Sequence, residues 1–195
     1  MKADDLRNIL LDWTLRHSGY DEHRNYIGLS GIADCSRIIY HRYFNETPAS
    51  DEFQLRTRYS YELEQIIIDR LKGIGGIFKE RKGPIVAYKI PILVQGHIEG
   101  EVDGNLFEIK TVPLTDYLPI HSVPRKTYWQ TQAYMHYGGY QATLCLYFAR
   151  DSGQFKIFDL WPDHRIMMTI DRKIQNLIEA IKKKEIPACE CGRCP

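Results

Sequence analysis

Gln95-Gly-His-Ile-Glu-Gly-Glu-Val-Asp-Gly-Asn-Leu-Phe-Glu-Ile-Lys-Thr111 is the stretch that decides how this chain folds. Asp103-Gly104, or Gly104-Asn105, is a two-residue hairpin turn, a geometry that needs positive φ at both central positions. Side chains alternate along a strand, so Glu99 shares a face with Glu101, and Glu108 shares one with Lys110. A turn at Asp103-Gly104 places Glu99 opposite Glu108. A turn at Gly104-Asn105 places it opposite Lys110. Either register gathers Glu99, Glu108 and Lys110 on one face. Like charges facing each other across a ladder are destabilising. A divalent cation between the carboxylates would remove that cost. Asp103 is favoured in a turn for conformational reasons alone, which leaves Glu99 as the acid that accompanies Glu108.

Outward from this hairpin, apolar periodicity and capping signals predict helices over 4–17, 30–44, 52–72, 126–137 and 163–184. Ser30 is the expected cap of the second helix. Leu63, Ile66, Ile67 and Leu71 form the expected inward face of the third. Strands are expected over 77–80, 84–90, 92–102, 106–112, 142–149 and 154–161, the last two joined by a turn at Asp151-Ser152-Gly153. Residues 113–124 hold three prolines and read as a loop. The pattern is one α/β domain over 1–195, a mixed sheet flanked by helices.

The composition is that of an ordinary globular protein, with 44% hydrophobic and 26% charged residues. A net charge of +1 excludes a global electrostatic field for nucleic acid. Contact with DNA would fall to local clusters such as Lys79-Glu80-Arg81-Lys82, Arg125-Lys126 and Lys182-Lys183-Lys184. No apolar run approaches the roughly 18 residues that a membrane span needs. Met1-Lys-Ala-Asp-Asp-Leu-Arg7 lacks the apolar segment of a signal peptide. A cytoplasmic protein without a membrane partner is the expectation, and there free thiols bind metal or sit in the core rather than form disulfides.

Two further constellations stand out. Gln130 and Tyr134 lie four apart on the helix that follows the hairpin, so they present one face together and can hold a lysine or a phosphate. Gln132 is offset from that face. Cys35 stands alone near the start of the chain, and Cys189, Cys191 and Cys194 crowd its end. Four thiolates suffice for a [4Fe–4S] or [2Fe–2S] cluster or a tetrahedral zinc. Cys145 lies in the apolar strand Ala142-Thr-Leu-Cys-Leu-Tyr-Phe148 and reads as a packed residue.

Taken together, these motifs resemble the PD-(D/E)xK nucleases. Within them they resemble the CRISPR-associated RecB-type exonucleases, the fourth Cas protein family. Glu108-Ile109-Lys110 matches the Glu-x-Lys element. Gly96-His97-Ile98-Glu99-Gly100 resembles Gly-x-x-Asp-Gly with Glu in place of Asp. Leu29-Ser-Gly-Ile-Ala-Asp-Cys-Ser-Arg-Ile-Ile-Tyr40 resembles the family's Ser…Cys-x-Arg…Tyr entry, and Gln130-x-x-x-Tyr134 its helix motif. The resemblance implies a restriction-endonuclease-like core and a Mg²⁺- or Mn²⁺-dependent DNA exonuclease acting on single strands or duplex ends. Glu64, Glu99 and Glu108 would be the metal ligands. Glu64 ends Ser60-Tyr-Glu-Leu-Glu64, where the family carries the His of a Gly-x-x-x-His pattern. Lys110, Gln130 and Tyr134 would complete the catalytic set with Glu99 and Glu108. Cys35, Cys189, Cys191 and Cys194 would hold an iron–sulfur cluster, [4Fe–4S] ahead of [2Fe–2S], clipping 30–44 to 186–195. CRISPR adaptation proteins would be partners in antiviral defence.

Two departures keep other readings open. The tail's Cys-x-Cys-x-x-Cys is tighter than the family's Cys-x-x-Cys-x-x-x-x-x-Cys, which leaves zinc in contention and with it a zinc-stapled phage recombination nuclease. The extra methylene at Glu99 displaces a carboxylate from a metal that demands near-ideal geometry. It motivates a catalytically impaired, cluster-bearing DNA-binding or adaptor protein.

Overall fold

The central hairpin turns at Asp103-Gly104, both with positive φ of 50° and 77°. This excludes the register with Gly104-Asn105 in the turn. The computed structural model describes residues 25–44, 51–74, 76–81, 83–192 and 194. The helix expected over 4–17 lies outside the described residues.

In chain order the elements are β1 (Ile27–Gly28), a 3-10 turn (Leu29–Gly31), α1 (Ser36–Tyr43), α2 (Asp51–Gly73), β2 (Phe78–Lys79), β3 (Ile85–Tyr88), β4 (Val94–Gly96), β5 (Gly100–Val102), β6 (Asn105–Val112), α3 (Leu114–Tyr117), α4 (Arg125–Gly138), β7 (Thr143–Ala149), β8 (Phe155–Leu160) and α5 (His164–Lys183). They form an α/β fold with two mixed sheets. One has the order β2-β5-β6-β7-β8, the other β1-β4-β3. β6 and β7 run parallel, from Leu106 opposite Thr143 to Val112 opposite Ala149. Parallel neighbours need a crossover, and α3 and α4 provide it.

The single strand expected over 92–102 is two strands in two sheets. It breaks at His97-Ile98-Glu99, between β4 and β5. Both ends of the break press against aromatic rings. A Cβ on Gly96 would lie 2.5 Å from Tyr134 Cε1, and one on Gly100 would lie 2.3 Å from Phe78 Cζ. The glycines in this motif therefore serve close packing rather than positive φ. The strand expected over 84–90 ends at Tyr88, ahead of a cis Ile90-Pro91 bond.

Three helical expectations also shift. The stretch 30–44 divides into the 3-10 turn and α1, with Cys35 rather than Ser30 at the N-cap of α1. The sequence Gly31-Ile-Ala-Asp34 does not sustain the helix, and the chain is extended at Cys35, with φ −58° and ψ 138°. On α2 it is Ile68 that is buried while Ile66 is exposed, because the inward stripe runs through Glu64, Ile67, Ile68 and Leu71. The loop expected over 113–124 contains the one-turn α3, whose following carbonyls are gathered by Lys156. Its ammonium donates to Tyr117 O, Leu118 O and Ile120 O at 3.0, 3.2 and 2.9 Å.

The main core lies between the three-stranded sheet, α4 and α5. Ile170, Ile174, Leu177, Ile178 and Ile181 form the buried stripe of α5 and pack with Val94, Leu106 and Tyr134. Asp163 caps α5 by accepting from the N–H groups of Arg165 and Ile166 at 3.0 and 3.2 Å. A second cluster of Ile68, Phe78, Phe107, Ile109 and Leu146 fixes α2 against the five-stranded sheet. Among the described residues, no helix is long and apolar enough to cross a membrane.

Candidate active site and cysteine cluster

β6 is the element on which the acidic site is built. Leu106, Phe107, Glu108 and Ile109 are all buried, so both faces of the strand are covered. Continuing the β5–β6 register one step past Gly100 and Phe107 brings Glu99 opposite Glu108. α2 crosses the same face. Glu64, on its inward stripe, faces the Thr111 backbone of β6. The electrostatic neighbours of Glu64 are Glu99, Lys110 and Glu108. All three candidate carboxylates and the lysine thus share one surface.

Glu108 is the most enclosed of them, with no exposed area. Its Oε1 accepts from Lys110 Nζ and, at 2.8 Å, from Gln130 Nε2. Its Oε2 is buried with no partner. Gln130 also reaches Tyr134 OH at 3.4 Å, so the two helix residues act on one face of α4. Gln132 points the other way, as its offset predicts. It is fully buried, donates to Trp161 O at 2.9 Å and accepts from Asp163 N at 2.7 Å, tying α4 to the start of α5. His97 is exposed. Asp103 is exposed in the turn.

The charges of this site are out of balance. Burial, reinforced by the charges of Glu99 and Glu108, pushes the Glu64 carboxyl up to about 8. Burial and the charge of Glu108 push Glu99 up to about 7. Burial pulls Lys110 toward its neutral form. The charge and hydrogen bond of Glu108, with the charge of Glu64, outweigh that pull and hold the ammonium well above the ordinary lysine range. Burial and Glu108 keep the Tyr134 phenol protonated, well above its usual range. A single ammonium facing three carboxylates leaves excess negative charge, and the orphaned Glu108 Oε2 lies within it. Such a donor set suits a hard divalent cation. Mg²⁺ is commonly held by one or two carboxylates, with waters and substrate oxygens completing the shell. All three carboxylates therefore need not converge on it.

The basic clusters read from the sequence are partly spoken for. Arg81 donates to Tyr140 OH at 2.6 Å, Lys126 pairs with Asp34 at 3.3 Å, and Lys182 pairs with Glu179 at 3.1 Å. Arg125 lies over the Trp129 ring, 4.7 Å from its centroid.

The four cysteines distant in sequence meet at the other end of α1. Cys194 Sγ lies 3.3 Å from Cys35 Sγ and 3.3 Å from Cys191 Sγ, and Cys191 lies 3.8 Å from Cys189. All four sulphurs fall within 4.8 Å of one another, the only group of three or more potential metal ligands this close among the described residues. The tail is seated by further bonds. Glu190 N donates to Cys35 Sγ at 3.3 Å, Ser36 Oγ to Glu190 Oε1 at 2.5 Å, and Arg37 Nε to Pro187 O at 3.0 Å. Four thiols so placed can bind a metal. Cys145 is elsewhere, fully buried in β7 beside Tyr147 and opposite Glu108.

Solved structures share this architecture. LHK-Exo, an alkaline exonuclease from Laribacter hongkongensis, is similar with a TM-score of 0.63 at 15% identity, over 84% of this chain and 91% of that one. Its structure in complex with dAMP gives 0.62 at 16% identity, over 89% and 93%. The protein SSO0001 gives 0.64 at 17% identity, over 97% and 93%. The chain shares the fold of these structures. This bears out the restriction-endonuclease-like α/β core expected from the hairpin. No protein-family profile matches the chain, and no curated protein matches its sequence.

Proposed function

We propose that the protein is a Mg²⁺- or Mn²⁺-dependent DNA exonuclease. The observation that carries this reading is the buried Glu108 carboxylate, with one oxygen fixed by Lys110 and Gln130 and the other unpartnered beside Glu99 and Glu64. The fold shared with LHK-Exo, which has been solved with dAMP, supports DNA as the substrate.

A divalent ion at these carboxylates would supply a bound water of lowered pKa and neutralise charge on the scissile phosphate. The protein's own groups divide the remaining work. Glu64, Glu99 and Glu108 would hold the cation, which takes the place of the protons that burial otherwise favours on Glu64 and Glu99. Gln130 and Lys110 hold Oε1 of the Glu108 carboxylate, which leaves the buried Oε2 free to take a cation. Lys110 stays an ammonium, so it donates to a phosphate oxygen and stabilises developing charge rather than accepting a proton. Tyr134 stays a neutral phenol and braces Gln130. Glu99 would serve as a further ligand for the cation in the place where the nuclease motif carries Asp.

The test is cleavage of end-labelled single- and double-stranded DNA with Mg²⁺, with Mn²⁺ and with chelator. Nucleotide release that needs the cation, and that Glu108→Gln abolishes, is the expected result. Intact DNA under every condition would instead favour the binding or adaptor reading that Glu99 motivates. A place beside CRISPR adaptation proteins rests on the order of sequence motifs alone.

A further inference from the structure

We infer that Cys35, Cys189, Cys191 and Cys194 form a closed, structural site for a single tetrahedral zinc ion, not for the iron–sulfur cluster that the sequence resemblance implies. The spacing of the sulphurs decides between the two. Zinc binds thiolate at about 2.3 Å in a tetrahedron, so the sulphurs of a Cys₄ site stand about 3.8 Å apart. In the structure the contacts are 3.3, 3.3 and 3.8 Å, with every pair inside 4.8 Å.

A cluster needs more room. Its thiolates sit on different irons, and inorganic sulfides bridge the irons. Some sulphur pairs must therefore span an iron–iron separation in addition to their own bonds. Cysteine sulphurs in direct contact leave no space for bridging sulfide. The spacing of this quartet stands nearer to that of a single-ion site than to that of a cluster.

The surroundings fit a thiolate-bound ion. Four thiolates around one divalent cation carry net negative charge, which N–H donors must offset. The backbone N–H of Glu190 donates to Cys35 Sγ at 3.3 Å, and the Arg37 backbone lies close to the same thiol. Lys173 reaches the same corner, bonding Asp34 O and, at 3.4 Å, Glu190. Cys191 is exposed, a position tolerable for redox-inert zinc and a liability for an oxygen-sensitive cluster. All four ligands come from the protein, so no position is left open for substrate. The ion's work is mechanical. Cys35 and Cys194 are 159 positions apart, and joining them restrains the unfolded chain over most of its length.

The test is the metal and sulfide content of the full chain, expressed with iron and zinc both in supply and purified without oxygen. One zinc per chain, no acid-labile sulfide and a colourless protein are expected. Cobalt replacement should give the intense visible bands of a tetrahedral tetrathiolate. Cys35→Ser should lose the ion and lower the melting temperature, and Cys145→Ser should keep the ion. Iron and sulfide in matching amounts, retained against excess zinc, would overturn the inference. So would a metal-free protein whose four thiols titrate or pair as disulfides. None of these readouts involves DNA, so the zinc assignment and the nuclease reading stand or fall separately.

Discussion

At the scale of single residues, the two oxygens of Glu108 have different tasks. Oε1 is held by Lys110 and Gln130, and Oε2 is buried without a partner, where the proposed function puts a cation. Lys110→Ala should therefore lower the cleavage rate on the order of 100-fold or more, as loss of a transition-state donor does, while leaving cation binding in place. Single-turnover kinetics with saturating Mn²⁺ would check this, and a wild-type rate would contradict it. Glu99→Asp should retain or raise cleavage, and Glu99→Ala should remove it. If Asp103→Ala removes cleavage instead, the acid has been misassigned.

The raised carboxyls also set a pH dependence. Glu64 and Glu99 titrate near 8 and 7 in the folded protein, against an ordinary value of 4.5. Between about 4.5 and 8 the folded state thus holds protons that the unfolded state has released. Stability of the cation-free protein should fall as pH rises through this window and level off above it. A divalent cation should raise the melting temperature more at pH 8.5 than at pH 6. Glu64→Gln should flatten both trends, and calorimetry showing the same slope in that variant would refute the coupling.

At the scale of elements, β4, β5 and α4 fit together through glycines. The Gly96 backbone touches the Tyr134 ring, so Gly96→Ala forces the ring off Gln130. Overpacking of this kind costs about 1–3 kcal/mol. The penalty should shrink in a Tyr134→Leu background, and an unchanged penalty would show that the contact is not the cause. The two glutamines of α4 should separate cleanly. Gln132→Leu leaves Trp161 O and Asp163 N unpaired and should cost about 1–3 kcal/mol of stability, with little change in cleavage per folded molecule. Gln130→Leu should cut cleavage and spare stability. Denaturation and kinetics measured on both variants decide the matter.

The sequence discloses some of these elements and conceals others, for physical reasons. α5 was legible because one unbroken apolar stripe runs along it, and the structure adds the Asp163 cap. The hairpin was legible with its turn at Asp103-Gly104 or Gly104-Asn105, and the structure chooses the first, which brings Glu99, Glu108 and Lys110 to one face. The split of 92–102 was not. Gly96 and Gly100 look like strand residues until the rings that press on them are known, and those rings lie far off in the chain. The inward turn of α2 was misjudged at Ile66 because Ile66, Ile67 and Ile68 are equally apolar, and only packing chooses among them. Gln132 could not be told from Gln130 as a buried strut without the partners it bridges.

At the scale of the whole molecule, two centres divide the labour. In the proposed function the acidic face of the five-stranded sheet would carry the chemistry, while the cysteine quartet brings the start of α1 against the tail. They are built on different elements, so stripping the tail's metal should lower the melting temperature without altering which residues cleavage requires. The central claim is that the Glu108 site hydrolyses DNA with a divalent cation. The most direct measurement is release of nucleotides from end-labelled DNA by the wild type and by Glu108→Gln, each with Mn²⁺ and with chelator. Cation-dependent release by the wild type alone is the predicted result. Equal release by Glu108→Gln, or release that persists in chelator, would contradict it.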